Sequence, residues 1–241
     1  MKISILLPYK ENFSLNKSGA VSLFVNDVIK NSPQKKNIYV YGKTDENNYL
    51  DKNYINLNFK EKFLKSNSKV YINNFLKHEE KDNSDIIEVH NRPAYIDLIS
   101  KNTKSKIILY FHNDPLTMTG SRSINDRKKL LANATKIIFN SHWSRKRFLE
   151  NIGGAHINSE KIIVIYQSTT PAKVNLKKKK KWFTFVGKLN KSKGYDLFGL
   201  AAIKVLKKYK DWNAIVIGDE QRAKLNFKHP RLKILGFQHH A

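Results

Sequence analysis

The sequence predicts an α/β protein built on parallel sheets, in two parts. Three observations carry that expectation. Short β-rich runs alternate with helical stretches, which is the pattern of strands joined by helical crossovers. Several of the β-rich runs are continuous and β-branched, such as Ile86-Ile87 and Ile162-Ile163-Val164-Ile165, as strands buried on both faces are. A fresh strand-turn-helix unit starts at Trp182, after a polar and basic interruption.

In chain order, the expected strands of the first part are Lys2 to Leu7, Asn37 to Tyr41, Asp85 to His90, Lys106 to His112, Lys136 to Asn140 and Lys161 to Tyr166. Between the first two, Val21, Phe24, Val25, Val28 and Ile29 recur at helical spacing over Ala20 to Lys30. Asn140 or Ser141 is placed to cap a helix carrying Trp143, Phe148 and Leu149. The segment Thr44 to Asn58 is polar and irregular and receives no element. Gln167-Ser168-Thr169-Thr170-Pro171 and the run Lys177 to Lys181 read as a solvated linker. The expected organisation is thus a domain over 1–170, a basic linker over 171–181 and an incomplete second domain over 182–241. In that second part the strands are Trp182 to Val186, Trp212 to Ile217 and Leu232 to Leu235, with a helix from Tyr195 to Tyr209.

A length of 241 residues with 40% apolar content is enough for a sizeable core. No apolar run is as long as a membrane-spanning helix, and the opening Lys2-Ile3-Ser4-Ile5-Leu6-Leu7 is too short for a signal peptide. The chain has no Cys, which excludes disulfides and thiolate metal sites. The formal net charge of +25 raises the question of a polyanionic partner. Lysine supplies the excess, Arg occurs seven times, and the lysines are spread along the chain. That distribution argues against a nucleic-acid reader and fits solubility or attraction to an anionic membrane surface.

The residues with chemistry sit where strands end, and an open parallel sheet binds its ligands outside the carboxyl ends of its strands. Lys17-Ser18-Gly19-Ala20 opens the first helix, where a glycine lets a ligand approach the backbone. Two strands run into His-Asn: His90-Asn91-Arg92-Pro93 and His112-Asn113-Asp114-Pro115. Two imidazoles at one sheet edge point to a site. In the second part Val186-Gly187-Lys188 leads to Lys193-Gly194 and a helix. A helix start offers unpaired N–H groups, and two ammonium groups add the charge to hold a diphosphate. The terminal His239-His240 pair lacks carboxylate company, and no metal site is expected.

The order of these pieces resembles the glycosyltransferases of the GT-B fold, and more closely the retaining family 4. The pieces are Ser18-Gly19-Ala20, Ile86 to Pro93, Tyr110 to Pro115, Phe139 to Ser144, Phe185 to Leu189 with Lys193-Gly194, Ile217-Gly218-Asp219 and Leu235-Gly236. The resemblance implies two Rossmann-like domains, an acceptor-side one followed by one that holds a nucleotide-sugar. It implies that Lys188 and Lys193 bind the diphosphate, that His112 lies near the donor sugar, and that Ser18, Gly19, Gly187 and Gly218 belong to the donor site. His90, Asn91, Arg92 and Asn113 would face the acceptor. The family more often has Arg where this chain has Lys188, and two glycines where it has Ser18-Gly19. The activity implied is transfer of a sugar from a nucleotide-sugar to a glycan or lipid-linked acceptor with retention, without a metal or other cofactor. The setting implied is the cytoplasm, with room for peripheral contact with an anionic membrane. The family's acidic motif lies downstream of the position of Gly236. The 241-residue form is therefore expected to be truncated and weakly active or inactive. Two rival readings stand beside this one: a non-catalytic module that binds a glycan or phosphorylated ligand, and a basic nucleic-acid binder.

Overall fold

The structure is a computed structural model, and it describes residues 1–61, 66–154, 158–169, 171, 175–219 and 225–238. The chain divides into two compact units, Met1–Thr170 and Pro171–Ala241. The His239-His240 pair and positions 170 and 172–174 of the expected linker lie outside the described residues.

The first unit carries a seven-stranded, wholly parallel sheet in the order β3-β2-β1-β4-β5-β6-β7. Its strands are β1 (Ile3–Leu6), β2 (Ile38–Gly42), β3 (Tyr54–Asn56), β4 (Ile86–His90), β5 (Lys106–Phe111), β6 (Lys136–Phe139) and β7 (Ile162–Val164). Strand order turns back at β1, whose two neighbours are β2 and β4. That reversal opens a crevice at the strands' carboxyl ends.

Alternation of side chains across each strand produces two apolar layers. On one face Ile5, Leu7, Ile38 and Val40 bury against Val25 and Ile29 of helix α1 (Ala20–Asn31). On the other, Leu6, Ile87, Val89, Leu109, Phe111, Ile137 and Phe139 form the larger core. Helices α2 (Asn67–Lys81), α3 (Ile96–Asn102), α4 (Ile124–Asn133) and α5 (His142–Leu149) supply its other side. Ser141 is the residue that caps α5, its Oγ accepting from Ser144 N at 3.1 Å. A buried carboxylate gathers polar partners in this layer. Glu79 on α2 accepts from Ser4 Oγ at 2.8 Å, Ser84 Oγ at 3.0 Å and Ser84 N at 3.0 Å.

The structure corrects the sequence reading in three places. The segment Thr44 to Asn58, expected to be irregular, contains β3. Its Asn56 side chain accepts from Thr44 N and donates to Thr44 O, so polar bonds replace apolar periodicity as the organising force. The strand expected over Lys161 to Tyr166 stops at Val164, with Ile165 and Tyr166 exposed. Val28 of α1 also faces solvent, at 43% exposure.

The second unit has a three-stranded parallel sheet in the order β10-β9-β8, made of β8 (Trp182–Val186), β9 (Asn213–Ile217) and β10 (Leu232–Ile234). Helix α6 (Tyr195–Lys208) buries Ala202 and Leu206 against Ala214. The end of the lysine run is part of this unit. Lys181 O accepts from Asn213 N at 3.0 Å, its ammonium pairs with Asp211, and Lys180 Nζ lies 4.6 Å from the centre of the Trp182 ring. Among the described residues no helix is long and apolar enough to cross a membrane.

Candidate active site

The first unit gathers its polar residues in the crevice where strand order reverses. A pocket of about 400 Å³ opens there between the loops after β1, β4 and β5. Pro8, Glu11, Asn91, Arg92, His112, Asn113 and Gln167 contribute to its wall.

Each residue is held by its own strand end. Asn91 takes a left-handed backbone with φ of 54°, a conformation Asn tolerates better than most side chains. In that posture its N donates to Tyr110 O at 2.8 Å and its Oδ1 accepts from His112 N at 3.3 Å, locking the ends of β4 and β5 together. The Arg92 Nη1 donates back to Asn91 O at 2.8 Å. Asn140, after β6, donates to His112 O at 2.8 Å. Asp114 is occupied structurally: it accepts from Leu116 N at 3.0 Å and pairs with Arg147 at 3.2 Å.

His90 and His112 lie side by side. His90 Nδ1 and His112 Nε2 are 2.7 Å apart, and Gln167 Nε2 is 2.6 Å from His112 Nδ1. Tyr110 stacks on both rings, at 5.5 Å and 4.5 Å between centroids, and Phe24 from α1 meets His112 edge-on at 5.3 Å. His90 is wholly buried. Burial, with His90 as neighbour, pushes the His112 pKa down to about 3, so this imidazole stays neutral at neutral pH. Burial and the nearby Glu88 raise the Tyr110 hydroxyl to about 12, and it donates to Ile165 O at 2.9 Å.

Gly19 has a use the sequence did not disclose. A Cβ on it would lie 2.3 Å from Glu11 Oε1. The missing side chain lets the Glu11 carboxylate come against the start of α1, where it accepts from Ser22 N at 3.1 Å. Ser18 stands one residue ahead of that glycine, half-buried. Glu11, Glu88 and Gln167 were all absent from the residues singled out in the sequence. A legible signal existed for Glu88 alone: a carboxylate inside an apolar strand, two residues before His90 and so on its face.

In the second unit the corresponding edge is lean. Gly187, Gly218 and Gly236 follow β8, β9 and β10, joined by bonds from Gly187 N to Ile217 O at 3.0 Å and from Gly218 N to Gly236 O at 2.8 Å. Gly218 has φ of 135°, and a Cβ there would lie 1.9 Å from Gly187 O. Lys188 and Lys193 are exposed, and neither forms a salt bridge with a described residue. Lys193 does not open α6 as the sequence suggested. It ends a separate short turn, Lys191–Lys193, and left-handed Gly194 intervenes before the helix. Asn190 Oδ1 accepts from Lys193 N at 3.2 Å and so caps that turn. The Lys193 side chain nevertheless starts beside Gly187, its Cβ 4.0 Å from where a Gly187 Cβ would stand.

The similarities of the whole chain match this two-sheet arrangement. The lipopolysaccharide outer core galactosyltransferase WaaB in its apo form aligns with a TM-score of 0.61 at 18% identity, over 99% of this chain and 68% of that one. A glycosyltransferase from Rickettsia africae aligns with a TM-score of 0.61 at 20% identity, over 98% of this chain and 68% of that one. The fold is GT-B. The UDP-GlcNAc 2-epimerase from Neisseria meningitidis, bound to UDP-GlcNAc, aligns equally well, with a TM-score of 0.61 at 13% identity over 100% of this chain and 73% of that one. No family model and no curated protein sequence matches the chain. The GT-B fold therefore fixes the frame, and the reaction has to be argued from the sites.

Proposed function

We propose that this chain is a sugar-transferring enzyme that takes a nucleotide-sugar donor and a glycan or lipid-linked acceptor, with retention at the anomeric carbon as in the family 4 enzymes it resembles. The observation that carries the reading is the glycine edge of the second unit with two exposed ammonium groups, Lys188 and Lys193, that form no salt bridge with a described residue. Gly187 leaves its turn open to a diphosphate, Gly218 lets the Gly187 carbonyl pack close behind it, and the lysines supply the counter-charge. The solved UDP-GlcNAc 2-epimerase with UDP-GlcNAc bound supports a uridine diphosphate sugar as the first donor to test.

In this reading the bond from the anomeric carbon to the diphosphate breaks as the acceptor oxygen bonds to that carbon. The acceptor's proton leaves with the departing phosphate oxygen. Negative charge grows on the diphosphate, and Lys188 and Lys193 stabilise it in place of a metal ion. His112, neutral at neutral pH, hydrogen-bonds the sugar, while Asn91, Arg92 and Asn113, with His90 behind them, shape the acceptor side. The enzyme works in the cytoplasm, and its positive charge favours an anionic membrane face.

Calorimetric titration with UDP, UDP-sugars and GDP-sugars, followed by an assay of nucleotide release, tests this. Release that requires an acceptor marks transfer. Conversion of the sugar without any acceptor marks an epimerase and defeats the proposal. Lys193→Ala is expected to lower kcat by roughly 10²-fold. Binding of glycans without any preference for nucleotides would favour a non-catalytic module. Retention on DNA with a steep salt dependence would favour a nucleic-acid binder.

A further inference from the structure

We propose that Glu88 is a positioning residue: acting through His90, its carboxylate holds His112 as the Nε2–H tautomer, so that the imidazole meets the pocket with a bare Nδ1 that accepts a hydrogen bond.

Four side chains form one chain of contacts. Glu88 Oε1 is 2.7 Å from His90 Nε2, His90 Nδ1 is 2.7 Å from His112 Nε2, and His112 Nδ1 is 2.6 Å from Gln167 Nε2. The first of these is a charge contact and not an aligned hydrogen bond, because the carboxylate lies off the line of the ring N–H. Glu88 and His90 are two residues apart on β4 and share a face, as do Tyr110 and the residue following β5, His112.

Only one proton can occupy the line between the two imidazoles. If it sits on His112 Nε2, then His90 Nδ1 accepts and His90 carries its own proton on Nε2, towards Glu88. If it sits on His90 Nδ1, a neutral His90 turns a bare Nε2 lone pair on a carboxylate oxygen 2.7 Å away. That arrangement sets two negative regions against each other at a ring that has no exposed surface of its own. A His90 protonated on both nitrogens would avoid the clash, but it would place a full charge on a wholly buried ring, against a carboxylate that is itself 23% exposed and off axis. The first arrangement avoids both, leaving the His90 Nε2 proton facing the carboxylate. It also fits the other end, where the Gln167 amide nitrogen, a donor, is placed towards His112 Nδ1. The tautomer of one imidazole is set by the bond its other nitrogen makes, and here that rule runs through two rings.

The consequence is a polarity. A ligand that displaces the Gln167 amide must bring a donor, a hydroxyl or an N–H, to His112. That it would be a hydroxyl of the transferred sugar rests on the reading of this pocket as part of a glycosyltransferase; the tautomer itself does not.

Long-range ¹H–¹⁵N correlation of the histidine rings in the 241-residue chain at neutral pH tests the assignment. His90→Asn and His112→Asn assign the signals. The wild-type spectrum is expected to show His112 protonated at Nε2 and bare at Nδ1. Glu88→Gln keeps the shape and removes the charge, and it should lower the ratio of Nε2–H to Nδ1–H forms by about tenfold or more. Gln167→Leu, which removes only the far end, should leave the wild-type tautomer in place. A wild-type His112 protonated at Nδ1 overturns the proposal, as does a Glu88→Gln chain that folds with an unchanged ratio. A tautomer that flips in Gln167→Leu also overturns it, since the amide would then be the determinant. No substrate enters this experiment, so a chain that binds no nucleotide-sugar would defeat the transferase reading and leave this one standing.

Discussion

The two candidate sites are built by opposite means. In the first unit, side chains do the work: two imidazoles, an amide and an asparagine in a left-handed turn bond to one another at the sheet edge. In the second unit, the edge is made by leaving side chains out, and its Lys188 and Lys193 are exposed. The difference sorts what each can contribute. Buried, mutually bonded groups have a fixed direction and resist rearrangement, so they suit the orientation of a ligand. Exposed ammonium groups around glycines have charge without direction and are screened by salt, so they suit an anion whose own charge changes. The contrast also predicts how each site breaks: the second through added bulk, the first through lost partners.

The largest effect is therefore expected from a single methyl group in the second unit. Gly218→Ala puts a Cβ 1.9 Å from Gly187 O on a backbone with φ of 135°. The turn must move or the sheet edge must open. We expect a loss of about 3 kcal/mol from the second unit's stability, read from its denaturant midpoint. An unchanged midpoint would show that this edge is more forgiving than its geometry implies.

In the first unit the comparable test removes a partner. Glu79 accepts three hydrogen bonds from Ser4 and Ser84 while only 1% exposed. Glu79→Ala strands Ser84 N, although the two hydroxyls, 2.6 Å apart, still have each other. A loss of about 2 kcal/mol is expected. Wild-type stability would mean that water replaces the carboxylate fully.

A pH-dependent effect should come from His112. Its folded pKa, about 3, lies below the ordinary histidine value of 6.5. Between those values the unfolded chain binds a proton that the folded chain refuses, so stability must rise with pH across that window. The contribution is complete above pH 6.5 and is lost as the pH falls towards 3. Replacing His112 with Asn should flatten the first unit's stability profile in that range; a profile equally steep without the imidazole would assign the dependence to other groups.

How much of this was legible depended on whether a contact is local. Strands such as Ile86-Ile87 and Ile107-Ile108 announced themselves because burial on both faces forces apolar runs. The placement of His90 and His112 at one edge of the sheet followed from parallel pairing alone; that their strands are neighbours did not. By contrast, β3 is three residues long and is organised by the Asn56 amide, which no periodicity encodes. Glu11 and Gln167 reach the site from loops, and Gln167 meets a residue 55 positions away in the chain. The Lys193 position was misread for a different reason. Gly194 can adopt the left-handed conformation, so it ends one turn and starts another where a continuous helix start was expected.

The mildest and most discriminating change concerns a residue where charge is already present. Lys188 is a point charge on a flexible stem, at a position where the family this chain resembles more often carries Arg. A guanidinium offers a planar fork that can bond two phosphate oxygens at once, so part of its direction is fixed in advance. Lys188→Arg keeps the charge and adds that direction, giving the second unit some of what the first already has. If the exposed lysines hold a diphosphate, the substitution should tighten binding of a UDP-sugar by roughly threefold and make the affinity less sensitive to salt. Stability should not move, because Lys188 is exposed and forms no salt bridge with a described residue. Equal affinity for UDP-sugar and for inorganic phosphate in both forms would show that this edge attracts anions without recognising a diphosphate. Weaker binding in the Arg form would mean that the larger head group clashes at the Gly187 turn and that Lys188 is fitted to its place by size.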